Sequence, residues 1–304
     1  MTARSETSFR GVAAITLSAV LFAVVFLLSG VVETTGEVAF GWRMVITVAC
    51  YAVALAHPTP RALLHDFWRL LTSTRWMPLV FLLLCAIIGV QLWLFSWAPQ
   101  NGHALDASLG FLLMPITIVL GGRFVLHSHV TRAQWIAVAI AAIAVAVKIA
   151  LTPHVSWVTF TICLGYPAYF MIRRRAGLDN PMAFGAEVAV LTPFAFFFIF
   201  TADQQPPNLL AFLALLAIGI AGAGAMASYL AAARLLSIPL FGLLGYLELV
   251  LLVAVSFMLG ERMDAGDLVT YGLLVVALAL LAADGFRAAR GWGSGGLATG
   301  APSA

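Results

Sequence analysis

Long apolar runs separated by short polar breaks organise this chain. Read in order, they predict helices at about 11–30, 37–56, 77–97, 106–126, 134–151, 155–172, 182–201, 208–231, 238–259 and 268–284. Each approaches the ~20 residues that a helix rising ~1.5 Å per residue needs to cross a hydrocarbon layer of ~30 Å. The expected fold is therefore an all-α polytopic membrane protein with ten transmembrane helices. The first run follows Arg4 and Arg10 as a signal peptide would. The VVETTGEV behind it offers no convincing small-residue cleavage site, so it is kept as a span. The longest break, 57–76, holds Pro58, Pro60 and the amphipathic RALLHDFWRLL, the pattern of a helix lying in the membrane interface. The Gly/Ser/Ala-rich tail 291–304 is expected to be disordered.

Composition agrees with this class. Of 304 residues 62% are hydrophobic and 10% charged, and the mean hydropathy of +1.03 lies far outside the range of soluble domains. The net charge of +3 is no nucleic-acid signature, because the basic residues fall in short clusters between apolar runs. They report topology instead. Arg4, Arg10, Arg61, Arg69, Arg75, Arg123, Arg132, Arg173, Arg174, Arg175, Arg234, Arg287 and Arg290 fall on one side of a ten-span path, and only Lys148 and Arg262 on the other. Basic loops stay in the cytoplasm, which places both termini there. Cys50, Cys85 and Cys163 sit in apolar runs at unrelated spacing and make neither a disulfide framework nor a metal site.

An internal repeat follows from the same pattern. The second span opens with Ala39-Phe40-Gly41-Trp42-Arg43 and the seventh with Ala183-Phe184-Gly185-Ala186-Glu187, one frame with opposite charge at its fifth position. Five spans separate the two. An odd number per repeat inserts the halves, 1–151 and 152–290, upside down relative to each other, a symmetry many secondary transporters share. The fourth and ninth spans also superpose on Gly110 and Gly242, which brings Pro115 level with Leu247 and Glu248.

The run WAPQNGHALDASLGFLLMPITIVLGG (97–122), followed by Gln134-Trp135, resembles the signature region of RarD-type members of the EamA family in the drug/metabolite transporter superfamily. Asn101, Leu105, Ala107, Ser108, Leu109, Gly110 and Pro115 match, with Asp106 for the usual Glu and Met114 for the usual Asn. Arg43, Glu187 with Pro193, Ala231-Ala232-Ala233-Arg234-Leu235, Tyr246-Leu247-Glu248 and Gly260-Glu261 extend the match along nearly the whole chain. The resemblance implies an inner-membrane permease of ten helices in two EamA repeats. Departures fall at His127-Ser128-His129, where a Gly-Glu is usual, at Gln91, where an Asn-Trp pair is usual, and at Leu249, where related members have Pro. Substrate choice is therefore not carried over.

Candidate site residues are the polar groups and helix breakers at membrane depth. Glu248 lies near the midplane of the ninth span, where a charged side chain costs roughly 2.5–3.5 kcal/mol on insertion scales, so it should face a cavity, a partner or a pathway. Arg43 lies about 9 Å inside the outer boundary. There it can receive an anionic solute, pair with Asp106 or Glu37, or snorkel to the interface. Glu187 occupies the matching depth on the cytoplasmic side, within reach of the Arg173–Arg175 cluster. Asp106 suits the N-cap of the fourth span. Pro115, and Pro167 between Tyr166 and Tyr169, each free a backbone carbonyl, either for a ligand or as a packing kink. Gln91, Asn101 and Tyr246 complete the expected pathway set. Gly219, Gly222, Gly224 and Ser228 read as close helix packing.

No metal site and no cofactor are expected, and His127 and His129 lack companion ligands. Neither hydrolase nor zinc-protease motifs occur, and no phosphate-binding glycine loop supports ATP hydrolysis. The expectation is a secondary transporter of a small metabolite or drug-like solute, working by alternating access in the inner membrane and drawing on a gradient such as protons. A membrane-embedded enzyme acting on an amphipathic lipid and a non-transporting scaffold are the alternatives. Its partners are a small-molecule substrate and the lipid bilayer, not nucleic acid, and a homodimer is left open.

Overall fold

The computed structural model describes residues 2–32, 34–101, 103–150, 156–201, 208–258, 268–270, 272–280 and 283. Eleven helices carry the described chain: α1 (Thr2–Val31), α2 (Gly36–Ala54), α3 (Pro58–Leu71), α4 (Met77–Gln100), α5 (Ala104–Phe124), α6 (Arg132–Ala150), α7 (Trp157–Ala176), α8 (Pro181–Thr201), α9 (Leu209–Leu235), α10 (Ile238–Leu244) and α11 (Tyr246–Met258). A further helical stretch covers Leu268–Leu280. Phe9–Ser29, Gly36–Ala54, Met77–Ala98, Pro181–Thr201 and Leu209–Leu235 are long and apolar enough to cross a membrane, and four further apolar helices are shorter. Among the described residues the fold is all-helical, and its long apolar helices are those of a membrane protein. The expected tail at 291–304, Gly260-Glu261 and Arg262 lie outside the described residues.

Local chemistry explains the boundaries. Thr35 and Asn208 cap α2 and α9, their side chains accepting from Val38 N and Ala211 N. His57 caps α3, with Pro58 at the first position, where a missing N–H costs nothing. Gly177, at φ 70°, closes α7 in the left-handed conformation that glycine adopts without strain. The amphipathic segment 57–76 does form a separate helix. Phe67 and Leu71 of α3 are buried, and Phe67 packs on Phe81 of α4 with ring centroids 5.2 Å apart.

The ninth apolar run departs from the expected single helix. α10 and α11 meet at Gly245, whose carbonyl accepts from Glu248 N at 3.2 Å in an i to i+3 turn tighter than the α-helical one. Gly245 keeps right-handed helical dihedrals, φ -58° and ψ -24°, and a Cβ there would stand 3.0 Å from Gly242 O, a tight contact. The break puts Glu248 in the first turn of α11.

Helix pairing runs across the chain rather than along it. α1 packs on α9 and α11, α2 on α8 and α9, α4 on α7 and α8, and α5 on α7 and α10. Glycines set the closest approaches. Gly219 of α9 faces Ile46 of α2, and Gly224 faces Leu21 of α1, which is the packing expected of the α9 glycine run.

The arginine-rich loops gather at one end of the bundle. Arg174 Nη1 donates to Ala233 O (2.7 Å) and Leu236 O (3.0 Å) at the end of α9, and Arg175 Nη2 to Val125 O (3.1 Å) after α5. These cations satisfy carbonyls where helix C-termini carry partial negative charge. At the same end Asn180 Nδ2 donates to Leu63 O of α3 (2.6 Å).

Candidate functional site

Between the helices lies a narrow cavity of about 50 Å³. Residues before 151 supply Phe22, Arg43, Leu92, Phe95, Phe111 and Met114 to its wall, and residues after it supply Tyr166, Met226, Tyr229, Gly245, Glu248 and Leu249. Its charged groups are Arg43 from α2 and Glu248 from α11. Arg43 is 5% exposed, and its guanidinium lies 5.4 Å from the centroid of the Phe95 ring, a cation–π arrangement that shares its charge with an apolar wall. Gly222 permits this position, since a Cβ there would stand 3.0 Å from Arg43 Nε. Glu248 is half-buried, and among the described residues no ion pair joins it to Arg43. Both groups face the cavity. Drug-sized ligand sites usually span ~300–1,000 Å³, so the cavity as it stands is too small for such a ligand.

Aromatic rings close the cavity towards the arginine-rich end. From Tyr166, successive turns of α7 present Tyr169, Phe170 and Arg173. Phe170 lies 5.5 Å from Tyr229 and 5.1 Å from Phe241, and Tyr229 and Phe241 are 4.7 Å apart. Beyond this plug sits a fully buried ionic cluster. Arg173 Nη1 pairs with Glu187 Oε1 at 2.6 Å and donates to Tyr169 Oη at 2.7 Å, while Tyr169 Oη donates to Glu187 Oε2 at 2.6 Å. Arg173 Nη2 reaches Asn180 O at 2.8 Å. Two charges so deep are tolerable only when hydrogen bonds satisfy them, and breaking such a pair typically costs ~3–5 kcal/mol.

The polar groups of α4, α5 and α7 stitch helices together beside the cavity. Pro167 has no N–H to offer Cys163 O, and Thr117 Oγ1 of α5 donates to that freed carbonyl at 2.6 Å. Gln91 of α4 is buried and donates through Nε2 to Thr161 O at 2.9 Å. The amide lies so close to Gly165 that no Cβ fits there. Thr159 Oγ1 donates to Asp106 O at 2.7 Å.

Of the expected pathway residues, Arg43, Tyr166 and Glu248 come together at the cavity. Tyr169 and Glu187 join the ionic cluster, and Gln91 bridges α4 to α7. Asn101 is exposed, its Nδ2 donating to Trp97 O at the end of α4. Pro115 is buried within α5, its carbonyl against Gly242, and Tyr246 is buried with its Oη donating to Leu112 O at 3.2 Å. Asp106 does not cap α5. The cap position is His103, and Asp106 lies in the first turn, paired with His103 Nδ1 at 2.7 Å. Nor does Arg43 reach Asp106, which that histidine occupies. Sequence reasoning missed the aromatic lining, because Phe22, Phe95 and Phe111 look like any other apolar residue. Tyr229 was detectable as the lone hydroxyl-bearing ring in the small-residue run of α9.

Comparison with known proteins places this architecture. No protein-family model matches the chain. A transporter described as uncharacterized from Pasteurella multocida is 32% identical over 274 residues, covering 88% of this chain and 94% of that one. The chloramphenicol-sensitive protein RarD of Pseudomonas aeruginosa is 36% identical over 257 residues, 82% of this chain and 84% of that protein. Protein RarD of Escherichia coli is 30% identical over 208 residues, 65% and 69% respectively. A solved crystal structure shares the fold at a TM-score of 0.61 and 17% identity, over 91% of this chain and 97% of that one. The first of these relatives is named a transporter and the other two RarD, and none carries an enzyme's name. With identity of this order spread over most of both chains, the protein belongs to the RarD-like transporter family.

Proposed function

We propose that this protein is a secondary active transporter that moves a small metabolite or drug-like solute by alternating access, with the cavity between α2, α7 and α11 as its solute site. One observation carries the reading: the opposite charges of Arg43 and Glu248 line a single aromatic-walled cavity that is narrow and plugged towards one end. In this reading Arg43 and Glu248 hold polar groups of the solute, the rings hold its apolar part, and Glu248 takes up and releases the coupling proton. The Phe170, Tyr229 and Phe241 plug with the Arg173–Glu187 pair is the closed gate, and release requires both to part.

Many alternating-access transporters are built from two related halves, and in this reading the ten apolar spans form inverted repeats, 1–151 and 152–290. The helix pairs support it, because exchanging the halves turns the set into itself. α4 on α7 becomes α9 on α1, α2 on α9 becomes α8 on α4, and α2 on α8 maps to itself. The support extends to residues. Gly41 of α2 meets Ala195 O of α8 and Gly185 of α8 meets Tyr51 of α2, and in each pair the contacted residue lies ten positions beyond the other half's glycine. Orientation follows from the arginine asymmetry, with both termini cytoplasmic in the inner membrane.

The test is solute counterflow with purified protein in liposomes. Counterflow of a metabolite that wild type supports and Arg43→Gln does not is the expected result. Hydrolytic release of a product without counterflow would mean a membrane enzyme instead.

A further inference from the structure

A second hollow, about 630 Å³ and open to the outside of the bundle, lies in the elbow between the end of α2 and the interfacial helix α3. Ala52 and Leu55 of α2 and Leu64 of α3 make its apolar part, while Arg61, His65 and Trp68 of α3 make its polar rim. Arg61 and His65 are one helical turn apart, and Trp68 follows on the same face. All three are exposed. Arg61 Nε donates to Leu55 O, which fixes the guanidinium over the end of α2, and among the described residues its terminal nitrogens have no protein partner. The helix itself is anchored elsewhere, by Phe67 on Phe81 and by Asn180 on Leu63 O, so the rim side chains are not needed to hold it down.

We infer that this elbow is a binding site for one anionic phospholipid of the bilayer, its phosphate between Arg61 and His65 and an acyl chain along Ala52 and Leu55. Depth and chemistry argue for that occupant. The elbow is where a spanning helix gives way to an interfacial one, so the rim stands at headgroup level and the apolar part at the level of the first methylenes. Val53, 74% exposed on the same end of α2, continues the apolar surface outwards. Trp68, 53% exposed beside the hollow, has the amphipathic ring that concentrates at the headgroup boundary. The loop 57–76 carries three arginines against one aspartate, Asp66, so the local field favours an anion over a zwitterion.

The experiment is native mass spectrometry of the full chain in detergent with phosphatidylglycerol or phosphatidylcholine added. One retained phosphatidylglycerol and little phosphatidylcholine is expected for wild type. Arg61→Gln/His65→Gln should weaken retention at least about fivefold, the share expected of the arginine alone. The single variant His65→Gln removes no hydrogen bond seen in the fold, so its share of the loss reads the ligand rather than the helix. Arg123→Gln/His129→Gln, which removes the same two side-chain types at exposed positions distant in sequence, should behave as wild type. Equal retention of both lipids, an equal loss in the control, unaltered binding in the double variant, or displacement by inorganic phosphate alone would each overturn the site.

Discussion

Glu248 and Arg43 illustrate what one residue type at one depth can do. A carboxylate in an apolar wall is costly, and half-burial against a cavity is the setting that the proposed solute and proton role requires. Gln keeps the shape and an acceptor but cannot be ionised. Glu248→Gln is therefore expected to lose pH-dependent uphill transport and keep part of the exchange activity, while Glu248→Ala loses both. Transport by both variants from mildly acidic to mildly alkaline pH checks this, and full uphill transport by the Gln variant would leave Glu248 a packing residue. Arg43→Gln should insert and fold as wild type does and fail in transport, as a counterflow assay on a matched amount of protein will read. Glu248 and Arg43 were legible in the sequence because charge inside an apolar run is conspicuous. The roles of Asp106 and Tyr246 were not, since both depend on a neighbour: His103 for the one, and a carbonyl of another helix for the other.

At the scale of elements, α7 is the helix whose packing decides the site. Its apolar pattern announced a span, and Pro167 announced a free carbonyl. Which side chain would take that carbonyl needed the α5 crossing that brings Thr117 to it. Gly165 offers a direct test of the crossing with α4. Gly165→Ala forces the Gln91 amide away, and overpacking of this kind typically costs ~1–3 kcal/mol. The expected drop in thermal stability should be largely reversed by Gln91→Ser, which shortens the intruding group. A drop that Gln91→Ser leaves unchanged would show that the crossing is not held this way. The ninth apolar run shows the limit of periodicity. Its hydrophobicity is continuous, and only the backbone turn at Gly245 reveals two helices instead of one.

For the whole molecule, length and hydropathy set the class, and arginine placement supplies the expected topology. The loops that the arginines assign to one side do meet at one end of the bundle, joined by Arg174, Arg175 and Asn180. Which end faces the cytoplasm is read by labelling. In a background without Cys50, Cys85 and Cys163, a cysteine at Asn208 should react with an impermeant reagent added outside, and one at Thr72 should not. The reverse pattern would invert the orientation.

The hydrogen bonds from Gln91, Thr117 and Thr159 have a mechanical consequence. They tie α4 and α5, from one half of the chain, to α7, from the other, at three separate carbonyls. On the opposite flank α1 packs on α9 and α11 in the same crossed fashion. In the proposed cycle we expect α4, α5 and α7 to move as one lever and α1, α9 and α11 as another, with α2 and α8 between them. A covalent tether from Gln91→Cys to Thr161→Cys lies inside one lever and should leave transport intact. A tether from Phe170→Cys to Tyr229→Cys joins the two levers and should stop it. The two halves of the sequence and the bodies that these contacts tie together are thus different partitions of the chain.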